Sequence, residues 1–103
     1  MIEYAVRCIF PDQSLVEPYI EWLTEGHIQD LLDAGAVSGY AVLETEPDDV
    51  IAVTSRYLFP SREIFDRYLS ETAPRLRKEG LAKFGPQMGT VMNRTVGTVF
   101  PTK

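Results

Sequence analysis

The chain holds one histidine, His27, and one tryptophan, Trp22, and both fall in the stretch from Ser14 to Ala34. Imidazole is the side chain that ordinarily titrates near neutral pH. His27 is therefore the candidate catalytic residue, as an acid/base or as a hydrogen-bonding contact for a ligand. Tyr4 and Tyr57 would stand beside it as orienting hydroxyls. The competing reading is structural, a half-buried imidazole held by a backbone carbonyl or a tyrosine. Other chemistry is sparse. The single cysteine, Cys8, lies on the apolar side of an alternating segment, which predicts a buried, inert thiol. One Cys and one His cannot make a zinc site, and no spaced carboxylate motif offers another metal. Paired catalytic carboxylates, a nucleophile elbow and a glycine-rich phosphate loop are all missing from the sequence. The expectation is a protein without metal or cofactor.

The elements that must position these residues are legible from periodicity. Ile2 to Phe10 alternates, with Ile2, Tyr4, Val6, Cys8 and Phe10 on one face and Glu3, Ala5, Arg7 and Ile9 on the other, as a strand does. In the following helix Val16, Tyr19, Ile20, Leu23, His27 and Leu31 gather on one arc. Ser14 and Glu17 have the spacing of a capping box. Pro18 is tolerable near the first turn. Gly26 either kinks the helix or divides it, which leaves the phase beyond it open, and Gly35 is a natural C′ residue. Strands follow at Val37 to Glu46 and Val50 to Phe59, joined by the turn residues Glu46-Pro47-Asp48-Asp49 into an antiparallel hairpin. On the third strand Ile51, Val53, Ser55, Tyr57 and Phe59 share the apolar face. Ser61 offers an N-cap to a second helix striped by Ile64, Phe65, Tyr68 and Leu69. Pro74 is expected to break it, leaving a short helical piece over Arg75 to Lys83 whose Arg75, Arg77 and Lys78 read as a solvated face. Thr90 to Phe100 is the last strand.

This β-α-β-β-α-β order is the split βαβ arrangement of the ferredoxin-like fold, an α+β architecture with a four-stranded antiparallel sheet and both helices on one face. If the fourth strand lies beside the first and the first beside the third, Arg94, Arg7 and Arg56 form a row across the face turned away from the helices. Three adjacent guanidiniums repel unless neutralised. Glu3 and Glu44 would do so as ion pairs, or a carboxylate or phosphate ligand would, since arginine suits bidentate anion recognition. The same face carries Ala5, Ile9, Ala52, Leu58, Met92 and Val96, which predicts a homodimer packed sheet against sheet.

Length and charge bound the rest. At 103 residues, with 45% hydrophobic and 24% charged side chains, the chain is expected to form one globular domain. A net charge of −5 argues against nucleic acid or an anionic membrane as partner. The start of the chain lacks an apolar signal region, and no run approaches the roughly 18 apolar residues of a membrane span, so the expected location is cytoplasmic.

The run Trp22-Leu23-Thr24-Glu25-Gly26-His27-Ile28 resembles the signature helix of an uncharacterised family of unknown function within the dimeric α/β-barrel superfamily. Arg56-Tyr57-Leu58-Phe59-Pro60-Ser61, Tyr68-Leu69, Ala73-Pro74-Arg75-Leu76-Arg77, Phe84-Gly85 and Arg94 are similar as well. Members of that superfamily include cofactor-free monooxygenases, isomerases, haem-degrading proteins and stress-induced proteins. The resemblance implies a pocket between sheet and helices, with Tyr4, Trp22, His27 and Tyr57 as ligand-binding residues. It does not carry over haem degradation, because the histidine here lies on the first helix. Three functions remain open. One is a cofactor-independent enzyme or binding protein for an aromatic or carboxylated metabolite. Another is a non-catalytic dimeric stress-related or interaction protein, and the third a regulatory ligand-sensing domain. Kinship of fold does not choose among them.

Overall fold

The structure, a computed structural model, describes residues 1–102. Strands β1 (Ile2–Phe10), β2 (Ser38–Leu43), β3 (Ile51–Phe59) and β4 (Val91–Thr98) form one antiparallel sheet in the order β2-β3-β1-β4. The helices α1 (Val16–Trp22), α2 (Ile28–Asp33), α3 (Arg62–Glu71) and α4 (Ala73–Phe84) supply the apolar side chains that pack on one face of it. This is the α+β, ferredoxin-like arrangement expected from the element order. Its central strands alternate as they must: Tyr4, Cys8 and Phe10 of β1 and Val53, Tyr57 and Phe59 of β3 are all buried under the helices. Among the described residues, no helix is long and apolar enough to cross a membrane.

Between α1 and α2 the chain does not leave the helix. It passes through a single π-helical segment, Leu23–His27, in which the Ile28 N–H donates to the Leu23 carbonyl. The phase left open at Gly26 is thus set by one wide turn, neither a kink nor a break. The entrance differs from the expected capping box. A 3₁₀ turn (Gln13–Leu15) precedes α1, and Asp12 caps it by accepting from the Ser14 N–H at 2.8 Å. At the exit Ala36 N–H donates to Leu31 O and Gly35 N–H to Leu32 O, a Schellman closure that uses the positive φ of Gly35 (117°).

Ser61 caps α3 as expected, its hydroxyl accepting from Ile64 N–H at 3.3 Å. The second helical region is divided, as expected, but at Thr72, and the piece expected after Pro74 is the full helix α4. Pro74 sits in the first turn of α4, where no N–H is required of it. The strands β2 and β4 are shorter than their sequence patterns implied, although single bonds carry the pairing past their ends, from Val37 N–H to Leu58 O, Glu44 N–H to Ala52 O and Val99 N–H to Met1 O.

The apolar side chains under the helices fall into two clusters. Tyr4, Tyr57, Phe59, Phe65, Tyr68 and Leu76 belong to one, and Cys8, Phe10, Val16, Tyr19, Leu23, Val53 and Phe84 to the other. The seam between them is where the site lies.

Candidate functional site

The floor of the seam is a row of small or slender side chains across the sheet. Ala41 pairs with Ser55, Ser55 with Val6, and Val6 with Arg94. A serine in the otherwise apolar series Ile51, Val53, Ser55, Tyr57, Phe59 leaves room that a larger residue would fill. One row on, Tyr4 pairs with Tyr57, their ring centroids 6.0 Å apart. Tyr19 and Trp22 cover the floor from α1, His27 from the π segment, Tyr68 from α3, and Leu76, Arg77, Gly80 and Leu81 from α4.

The π segment brings Trp22 and His27 together. Residues five apart on a regular α-helix point about 140° away from each other. The wide turn adds nearly a residue to the helical period, so the two rings stack, 4.2 Å apart and 24° from parallel. Gly80 makes this possible from the other side: a Cβ there would stand 3.1 Å from the Trp22 ring edge. The stacked pair forms a wall. Inside it lies the cleft, of about 30 Å³, enough for a water or two. Outside it runs a wider groove of about 450 Å³ flanked by Glu21, Glu25, Asp30 and Glu79.

Two buried polar atoms at the cleft, His27 Nδ1 and Tyr57 Oη, have no hydrogen-bond partner in the protein. Burial pushes the His27 pKa down to about 4; Asp30 and Glu79 pull it up, while Arg75 and Arg94 add to the depression. His27 is consequently a neutral imidazole at pH 7. Burial pushes Tyr57 up to about 12, with the Ser55 hydroxyl, close by but outside hydrogen-bonding geometry, offsetting part of the rise, and raises Tyr19 and Tyr68 as well. The histidine and tyrosines of the interior therefore offer hydrogen bonds and aromatic faces without charge of their own. Cys8 is fully buried with its thiol pushed up to about 11, the inert state expected of it. Among the described residues no three of His, Cys, Asp or Glu converge as metal ligands.

The expected arginine row does not form. Arg7 and Arg56 do lie on the outer face, where Arg7 makes a bidentate pair with Glu44 (2.7 and 2.9 Å) and Arg56 meets Glu3 at 2.8 Å. Arg94 lies on the opposite, helix-covered face, because it pairs with Val6 and so shares that residue's side of the sheet. Met92 and Val96 move with it. The sequence of β4 has no clean alternation, and a slip of one residue reverses every side chain; pairing with β1 alone decides. Arg77, read from sequence as part of a solvated run, joins Arg94 at the cleft. Its signal was the apolar stripe of α4, Leu76, Gly80 and Phe84, which Arg77 borders.

A protein-family model described as a domain of unknown function, DUF4286, matches residues 1–96. No curated protein matches the chain in sequence. Among solved structures, a dimeric ferredoxin-like protein from an uncultured marine organism superimposes with a TM-score of 0.70 at 11% identity, over 99% of this chain and 97% of that one. SnoaB, a cofactor-independent oxygenase from Streptomyces nogalater, gives 0.65 at 13% identity, over 98% and 94%. A monooxygenase of Streptomyces coelicolor in complex with nanaomycin D gives 0.66 at 14%, over 98% and 92%. At such identities the likeness is one of fold. The match over residues 1–96 places the chain itself in the DUF4286 family.

Proposed function

We propose that this protein binds a small planar aromatic metabolite in the cleft between sheet and helices, and that it acts there as a cofactor-independent enzyme or as a carrier. The observation that carries this reading is the pair of unpartnered polar atoms, His27 Nδ1 and Tyr57 Oη, at a cleft walled by aromatic rings. A buried polar group left unsatisfied costs about 1–3 kcal/mol, and a ligand with matching polar atoms relieves that cost. Trp22 and Tyr4 supply ring faces, Tyr57 a donor, and His27 a neutral nitrogen that can accept a proton or a hydrogen bond. A monooxygenase among the fold neighbours is described in complex with nanaomycin D, a small molecule, which supports the reading of a small-molecule site.

A thermal-shift screen with naphthols, quinones and aromatic acids tests it. A ligand at a hundred times its dissociation constant adds about 2.7 kcal/mol, which moves the melting point of a domain this size by on the order of 10 °C. The shift should vanish in His27→Ala. If no compound shifts the wild type and His27→Ala folds normally, the non-catalytic reading takes its place. The narrowness of the cleft, about 30 Å³, is the observation on that side.

The outer face supports a homodimer. Tyr40, Val42 and Val91 are about half exposed there beside Ile9 and Leu58, and the two arginine–glutamate pairs lie among them. The dimeric ferredoxin-like neighbour is consistent with that assembly.

A further inference from the structure

The chain has seven arginines, and five of them have a carboxylate partner. Arg7 and Arg56 are paired across the outer face, and Arg62, Arg67 and Arg75 along their own helices. The two without such a partner among the described residues, Arg77 of α4 and Arg94 of β4, come from separate elements and line the same cleft.

We infer that the ligand of this cleft is an aromatic carboxylate, its ring against Trp22 and its anion held at the mouth between Arg77 and Arg94. The inference rests on the cleft being a binding site, as proposed above, and adds the chemistry it selects. Two guanidiniums free of internal partners suit a carboxylate, which takes charge-assisted bonds from planar donors. The interior contains neutral groups, so the uncharged ring belongs inside and the charge outside. The wall formed by Trp22 and His27 is also polar in a directional sense. Its outer side faces four carboxylates, Glu21, Glu25, Asp30 and Glu79, against one lysine, Lys83, a net negative surface that disfavours an anion, while its inner side faces the arginines. Arg94 acts on both His27 and Tyr19, and Arg77 on Tyr68, so both cations are felt within the cleft. Entry of a ring requires the lining to yield, and Met92 is the most adaptable side chain there.

Calorimetric titration of the whole protein with cinnamate and 2-naphthoate, each against its neutral amide, tests the assignment. At least one acid is expected to bind about tenfold or more tighter than its amide, a ratio in keeping with one or two charged hydrogen bonds. Arg94→Gln and Arg77→Gln should each bring the acid close to its amide without weakening the amide. Arg62→Gln, whose guanidinium is engaged by Asp66, should change neither. Equal affinity of acid and amide overturns the inference while the aromatic-binding reading stands. So does acid binding that survives both arginine substitutions. If none of the four compounds binds at millimolar concentration, the binding-site reading fails and this inference with it.

Discussion

His27 combines a neutral imidazole with an unpartnered nitrogen, and both properties come from burial against Trp22. Its folded pKa, about 4, lies below the ordinary value of 6.5. Between those values the unfolded chain binds a proton that the native state refuses, so stability falls as pH drops from 6.5 towards 4. The loss attributable to this residue is on the order of 2–3 kcal/mol. Urea titrations of wild type and His27→Phe across pH 4 to 7 check it: the variant's stability should decline less steeply, by that difference. Asp30, Glu79, Arg75 and Arg94 face the ring, so the comparison must keep them intact. Tyr57→Phe offers a second measure. Removing a buried hydroxyl that lacks a partner should stabilise the free protein by about 1 kcal/mol while weakening ligand binding, a trade expected of a site and not of a core. A loss of stability in Tyr57→Phe would show that the hydroxyl is satisfied after all.

At the scale of elements, the π segment is the feature on which the site depends, since it alone places Trp22 and His27 on one face. Gly26 is not what creates it. A Cβ at Gly26 meets nothing within 4 Å and its φ is not positive. Gly26→Ala should therefore raise stability by about 0.5–1 kcal/mol through helix propensity, or roughly 4 °C in melting temperature, and leave ligand binding unchanged. Gly35 behaves in the opposite way. Its φ of 117° is strained for any L side chain, and a Cβ would fall 2.5 Å from Ile64 Cγ2. Gly35→Ala should cost more than about 1 kcal/mol, read as a lower urea midpoint at unchanged slope.

For the whole molecule, the proposed homodimer would assemble through the outer face of the sheet. Ala5 and Ala52 are already buried, and Met92 and Val96 lie on the other side. The apolar surface left for a partner is therefore centred on Tyr40, Val42, Ile9, Leu58 and Val91. Sedimentation equilibrium at micromolar concentration should show a dimer for wild type and a monomer for Val42→Asp, which would bury an unpaired charge at the seam. A wild-type monomer would remove the sheet-to-sheet assembly while leaving the cleft untouched, because Arg77, Arg94 and His27 lie on the helix side.

The sequence alone determined the element types, their order and the ferredoxin-like architecture. Those rest on local periodicity, clean in β1, β3 and the first helix, and on short connections that leave few topologies. It also singled out Tyr4, Trp22, His27 and Tyr57, which the fold gathers at one cleft. What it could not decide was register and rotation. Arg94 changed faces because β4 reads almost equally well in either phase until β1 pairs with it. Trp22 and His27 meet only because one turn widens, which no spacing rule for a regular helix anticipates. Arg77 became part of the cleft through the packing of α4 on the sheet. Each of these turns on contacts between segments distant in the chain, and only the tertiary structure supplies them.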